Sequence, residues 1–198
     1  AMLDPQPGET VIDLCAGAGG KTLALAAGMD NRGRLLACDV DRARLSRLAP
    51  RAERAGASII ETCLLNPKQE MIALDPWQGK ADAVLVDAPC SGSGTWRRNP
   101  EARWRLDEAE LTRTRTVQQH VLNMGANLVR PGGRLIYAVC SVLDEEGADQ
   151  ITAFLANHPG WKAERLVPVA GRERGAGLRL TPDHDETDGF FVARLVSP

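Results

Sequence analysis

The sequence predicts an α/β fold, a mostly parallel seven-stranded sheet with helices on both faces. Three observations predict it. Strand-like and helix-like segments alternate along the chain. The first strand runs into a Gly-rich turn that opens a helix, with an acid 19 residues past the last glycine. Finally, DAVLV (82–86) and RLIYAV (134–139) are continuous apolar runs, as expected of strands buried on both faces.

Each element follows from local pattern. TVIDLC (10–15) is a short apolar run ending in the Gly-rich turn, and a helix follows from about Lys21. RLLAC (34–38) is a second strand ending at Asp39. From Asp41 a charged amphipathic helix runs to Gly56, with an interruption near Pro50, and residues 58–61 form a weak third strand. A long helix covers about 107–129, Pro131-Gly132-Gly133 is a turn, and 134–139 is the next strand. A helix spans 144–157, and 161–169 with 190–196 form a closing pair of strands. Residues 170–188 are polar and Gly-rich, and read as a mobile loop.

Composition narrows the function classes. The 198 residues suit one domain, and a 43% hydrophobic, 25% charged composition is ordinary for a globular protein. A formal charge of −2 does not announce a nucleic-acid binder, so any positive surface is local. No apolar run approaches the roughly 20 residues of a membrane span, and no signal peptide opens the chain. Of the five cysteines (Cys15, Cys38, Cys63, Cys90 and Cys140) none forms a C-x-x-C pair, so neither a zinc site nor a disulfide framework is expected. A reducing, cytoplasmic setting is the expectation. Oligomeric state is not legible here, with a monomer favoured.

Cys15-Ala16-Gly17-Ala18-Gly19-Gly20-Lys21-Thr22 follows the first strand and opens a helix. Its glycines let the backbone turn tightly and approach a ligand. Asp39, at the end of the second strand, can accept hydrogen bonds from both hydroxyls of a ribose. The run also resembles a phosphate-binding loop, with VLVDAP (84–89) as a metal-binding strand. Against that, the loop's first glycine would fall on Cys15, and Asp39 would have no role.

Asp87-Ala-Pro-Cys90-Ser-Gly-Ser-Gly-Thr95 ends one buried strand, and Tyr137-Ala-Val-Cys140-Ser141 ends the next. Both cysteines should therefore face the crevice that the nucleotide loop faces. DLCAGAGGKT, DAPCSGSGTWRRNP, YAVCSV and DGFFVARL resemble, in order, the motifs of the Fmu/Sun (RsmB-like, Nop2/Sun) family of RNA cytosine-5 methyltransferases, over about residues 4–195. The resemblance implies a Rossmann-like class I methyltransferase fold that takes S-adenosylmethionine and releases S-adenosylhomocysteine. It implies a cofactor site of Cys15, Ala16, Gly17, Ala18, Gly19, Gly20, Lys21, Asp39, Asn66 and Asp87. It also implies that Cys140 attacks the base, that Cys90 helps release the product, and that Asp87 and Lys21 attend the base.

The chemistry needs these residue types. Cytosine C5 is a poor nucleophile, and a thiolate adding to C6 makes it enamine-like and able to take a methyl group. Cysteine suits the task because its thiolate forms near neutral pH. Asp87 is placed to hydrogen-bond or protonate the edge of the base where negative charge collects, and a nearby Lys21 ammonium would favour the thiolate.

Arg97 and Arg98, followed by Arg103, Trp104 and Arg105, combine phosphate-binding cations with a flat side chain able to stack on an extruded base. The resemblance supports RNA contact near Arg97 and Arg98, while a solvated loop with Trp104 in the core is the equal alternative. Ribosomal RNA is the substrate the analogy favours. Two departures stand out: Asn66 sits where many relatives carry an acid, and the Gly-rich loop reads CAGAGG rather than CAAPGG. Relatives also carry an N-terminal RNA-binding region, so residues 1–198 read as the catalytic domain alone. A non-catalytic methyltransferase-like scaffold is the remaining alternative, and the intact Asp87, Cys90 and Cys140 set argues against it.

Overall fold

In the computed structural model, residues 2–165 and 170–198 are described. They form two compact units. The first holds the residues up to Asp87, Met124–Leu135 and Ser197, and the second holds Ala88–Asn123, the described residues of 136–196, and Pro198.

The chain order is β1 (Thr10–Asp13), α1 (Gly20–Gly28), β2 (Arg34–Asp39), α2 (Arg42–Leu45), α3 (Leu48–Arg54), β3 (Ile60–Leu64), α4 (Glu70–Leu74), β4 (Ala81–Asp87), α5 (Glu108–Leu128) and β5 (Val129–Val139). Then come α6 (Ala148–Asn157), β6 (Lys162–Glu164), β7 (Arg172–Arg174), β8 (Gly177–Leu180), α7 (Pro182–Asp185) and β9 (Phe190–Val196).

In the first unit, β1 pairs in parallel with β2 and β4, and β2 pairs in parallel with β3. Consecutive residues on these strands, Val11 with Ile12 and Leu35 with Leu36, are all buried. Burial on both faces is why the strands read as unbroken apolar runs. Leu48 of α3, Leu45 of α2, Ala37 and Ala16 pack together, with Ile60 and Leu64 against them, and this seats the Gly-rich turn. In the second unit, β9 pairs antiparallel with β6 and β8, and β8 with β7. The fold is Rossmann-like α/β, as the alternation predicts.

Several boundaries differ from the sequence expectation, each for a local reason. The helix from Asp41 breaks at Ser46–Arg47, four residues before Pro50. Pro50 instead lies in the first turn of α3, where a backbone N–H has no helical partner to lose. Asp41 caps α2 by accepting from Arg44 N at 3.0 Å. The third strand lies at 60–64, not 58–61. Pro131-Gly132-Gly133 falls inside β5, where Gly132 takes φ 69° and bends the strand without ending it. Helix α4 carried no clear periodic signal over its five residues.

The stretch 170–188 is not a plain loop: it carries the β7–β8 hairpin and α7. Asp185 ties it together, accepting from Gly171 N at 2.7 Å and Thr181 N at 2.8 Å. With this hairpin and β6, nine strands are present among the described residues rather than seven. The expected pairing of 161–169 with 190–196 is present at Lys162–Glu164 against Arg194–Val196, while 166–169 lies outside the described residues.

Candidate active site

The Gly-rich turn is built from glycines with different duties. Gly17 (φ 56°) and Gly19 (φ 84°) both lie in left-handed backbone. At Gly19 a Cβ would stand 1.9 Å from Leu48 Cδ1, so only glycine lets the turn close on α3. A Cβ at Gly17 or Gly20 would meet nothing within 4 Å, which leaves an open cradle beside the N-terminus of α1. Asp39 anchors the turn from the end of β2. Its Oδ2 accepts from Gly17 N and its Oδ1 from Asp41 N, both at 2.7 Å. Each oxygen keeps acceptor capacity for a further donor. Arg51 of α3 adds a bond to the Ala18 carbonyl at 2.6 Å.

At the end of β4, Asp87 Oδ2 accepts from Lys21 Nζ at 2.6 Å, a half-exposed ion pair. Lys21 therefore pairs with a carboxylate while staying half exposed. Asn66 is exposed beyond the end of β3. The unit also holds a residue that sequence reading passed over as part of a strand. Asp13 is fully buried, accepts from Thr22 Oγ1 at 2.7 Å, and has its second oxygen without a partner. Burial, against the Thr22 hydrogen bond, pushes its carboxyl up to about 7. Its only sequence signal is an acid inside an otherwise apolar run.

The remaining thiols of this unit are dissimilar. Cys38 and Cys63 are register partners on β2 and β3. A hydrogen bond from Cys38 holds the Cys63 thiol down at about 7, while Cys38 itself is pushed up. Burial pushes Cys15 up as well, so it lines the turn as a neutral thiol.

In the second unit the two cysteines meet. Cys90 Sγ and Cys140 Sγ lie 3.4 Å apart, and both are free thiols. The polar residues of both motifs explain the closeness. Gly94 N donates to the Cys140 carbonyl at 3.1 Å, Ser93 Oγ and Ser141 Oγ share a buried bond of 2.9 Å, and Ala88 N donates to Ala138 O at 3.0 Å. Gly94 is required by space: a Cβ there would stand 2.0 Å from the Gly189 carbonyl oxygen, whose own N–H donates back to Gly94 O at 2.8 Å. Hydrogen bonding to Cys140, then burial, pushes the Cys90 thiol far up.

A second residue missed by sequence reading is Glu146, fully buried although it sits in an acidic Asp-Glu-Glu run. Such runs usually face solvent, which is why it carried no signal.

Arg98 Nε donates to Asp188 Oδ2 at 2.6 Å and Arg97 reaches Asp188 Oδ1 at 3.4 Å, while both arginine side chains stay more than half exposed. Trp104 is 76% exposed, with the Arg103 guanidinium 4.5 Å from its ring centroid. Trp104 is therefore not in the core. Its ring is left exposed under the Arg103 guanidinium, in the same segment as Arg97, Arg98 and Arg105. Two of the histidines have structural partners: His158 stacks on Phe154 and His184 pairs with Asp183. Among the described residues no cluster of His, Cys, Asp or Glu could hold a metal ion, and no helix is long and apolar enough to cross a membrane.

The Rossmann-like sheet with its Gly-rich turn and ribose-spaced acid is the architecture of S-adenosylmethionine-dependent methyltransferases. The profile of the 16S rRNA methyltransferase RsmB/F family matches residues 1–196, and the chain belongs to that family. It is 35% identical to the ribosomal RNA small subunit methyltransferase B of Shewanella oneidensis, over 98% of this chain and 44% of that protein. The crystal structure of PH0851 superposes with a TM-score of 0.90 at 42% identity, over 98% of this chain and 43% of that one. NSun6 from Pyrococcus horikoshii, solved with SFG, gives 0.87 at 26%, over 99% of this chain and 50% of that one. The chain spans about half or less of the length of these relatives. Family membership sets aside the phosphate-binding-loop reading of 15–22.

Proposed function

We propose that this chain is the S-adenosylmethionine-binding catalytic domain of an RNA cytosine-C5 methyltransferase that acts on ribosomal RNA in the cytoplasm. The observation that carries the reading is the 3.4 Å approach of Cys90 Sγ and Cys140 Sγ. Two unbridged thiols held that close have a role in nucleophilic addition and elimination and little in packing.

The cofactor fits the first unit. The open cradle at Gly17 and Gly20 admits a ligand's backbone-facing edge, and Asp39 has free acceptor capacity for ribose hydroxyls. Cys15, Ala16, Ala18, Gly19 and Lys21 complete the turn around it, with Asn66 and Asp87 at the flanks. When bound, S-adenosylmethionine supplies an electrophilic methyl group and leaves as S-adenosylhomocysteine; the SFG in the NSun6 structure is its analogue.

The chain's own residues do the rest. Cys140, as thiolate, adds to cytosine C6 and makes C5 nucleophilic. Asp87, held by Lys21, hydrogen-bonds the N3 and amino edge as negative charge collects there. Once C5 has been methylated and has lost its proton, the C6–Sγ bond to Cys140 breaks, and Cys90 promotes that elimination. Arg97, Arg98 and Arg103 meet phosphate, and Trp104 offers a stacking face to an unpaired base.

The test is the pair of alanine variants with S-adenosylmethionine and ribosomal RNA. Cys140→Ala abolishes methylation. Cys90→Ala accumulates an RNA–protein adduct that survives denaturing gels. Normal turnover by Cys90→Ala together with residual activity in Cys140→Ala would overturn the mechanism. Calorimetric binding of S-adenosylmethionine, weakened by Asp39→Ala, with none of Mg-ATP, checks the cofactor separately. Binding of neither nucleotide would make the chain a scaffold.

A further inference from the structure

Glu146 is the buried group of the second unit with the most demanding surroundings. Its Oε1 accepts from Ser91 N at 2.8 Å, Thr114 Oγ1 at 2.9 Å and Gln118 Nε2 at 3.0 Å, and its Oε2 accepts from Ser91 Oγ at 2.5 Å. Its carbonyl accepts from Tyr137 Oη at 2.6 Å. No cationic side chain is among these partners. The Ser91 N–H and the Gln118 amide can only donate, so Oε1 acts as an acceptor on all sides.

The partners are not scattered. Ser91 follows Cys90, and Gln118 Nε2 also donates to the carbonyl of Pro89, which precedes Cys90, at 3.0 Å. Glu146 therefore grips the Cys90 turn from both flanks. It does so from a segment six residues beyond Cys140, and Tyr137, three residues before Cys140, ties down the backbone of Glu146 itself. A carboxylate buried on the Cys90 side of a 3.4 Å thiol pair also disfavours negative charge on that sulfur.

We propose that Glu146 is a positioning residue that sets the two cysteines apart: it fixes the Cys90 turn against Cys140, directly at Ser91 and through Gln118 at Pro89, and places its carboxylate on the Cys90 side of the pair. The proposal rests on the reading of the pair as catalytic. Glu146 acts on Cys90 from the segment before α6, and Arg98, itself paired with Asp188, acts on Cys140 from the turn after Ser93. Helix α5 contributes Thr114 and Gln118, which do not titrate.

The test follows iodoacetamide alkylation of Cys90 and Cys140 in the folded chain against pH, each read by mass spectrometry of the peptide that carries it. It needs no RNA and no turnover. In the parent protein Cys140 alkylates at lower pH than Cys90. In Glu146→Gln the Cys90 profile moves down, by about one pH unit at most, while that of Cys140 does not follow, so the gap between the two thiols narrows. Glu146→Asp, which keeps the charge, restores the gap. Thr114→Val removes a donor and leaves the carboxylate less screened, so the Cys90 profile moves up. That second variant carries the test should Glu146→Gln fail to fold. A Cys90 profile unmoved in folded variants, or one loosened equally for both thiols, would overturn the proposal. Failed methylation with the predicted alkylation order intact would count against the proposed function and not against Glu146.

Discussion

Asp13 and Cys63 show how far a single side chain departs from what its letter suggests. The Asp13 carboxyl titrates near 7 in the folded protein and near 4 when unfolded, because burial outweighs its Thr22 bond. Between those values the native state holds the extra proton, so stability falls as pH rises from about 4 to 7, by at most about 4 kcal/mol. Asp13→Asn keeps the hydroxyl contact and removes the titration, so its melting temperature is flatter across that range and higher at pH 8. Urea melts at pH 5 and 8 check this, and a parallel pH dependence in both proteins would refute it. Cys63, held down by Cys38, is expected to alkylate about tenfold or more ahead of Cys15, Cys38 and Cys90 at pH 7. Neither value was legible in the sequence. The acid lay inside an apolar strand, and Cys63 draws its acidity from a neighbour 25 positions earlier, brought alongside by strand register.

At the scale of the element, two turns matter. The Gly-rich turn was legible because its demands are local: left-handed backbone, a close approach to α3, and an acid at the next strand end. The turn after Cys90 was legible only in part. Its cysteine stood out, but the need for Gly94 comes from Gly189, far along the chain. Gly94→Ala puts a methyl group into a carbonyl oxygen 2.0 Å away. The expected cost is about 1–3 kcal/mol of stability, with the thiols displaced. Mixed-disulfide crosslinking of Cys90 to Cys140 under mild oxidant reads the displacement, being slower in the variant at equal stability. The arginines of the same turn act by charge. Arg97→Gln lowers the salt dependence of RNA binding by about one phosphate contact, whereas Trp104→Ala weakens binding by about 1–3 kcal/mol at every salt concentration. An equal slope in the Arg97 variant would place that side chain off the RNA.

For the whole molecule, the parallel order of β1 to β4 was readable because strands buried on both faces leave continuous apolar runs. The hairpin at 172–180 was not, because its short strands are polar and largely exposed, and pairing alone defines them. The net charge of −2 is compatible with a local cluster of arginines at 97–105 within an otherwise charge-balanced chain. Cofactor binding links to global stability. S-adenosylmethionine at about one hundred times its Kd adds about 2.7 kcal/mol, which for a chain of this size raises the melting temperature by about 5–10 °C. Asp39→Ala is expected to lose most of that rise. An equal rise in both proteins would remove Asp39 from the site.

The contact between Gly94 and Gly189 also ties the Cys90 loop to a distant part of the sequence. The loop that carries Cys90 closes on residues much further along the sequence: Gly189 N bonds Gly94 O, and Asp188 bonds Arg98. The loop that carries Cys90 is thus held at two points by a segment about one hundred residues away, so a variant that loosens Asp188 or Gly189 is expected to disturb the Cys90 turn without touching either thiol.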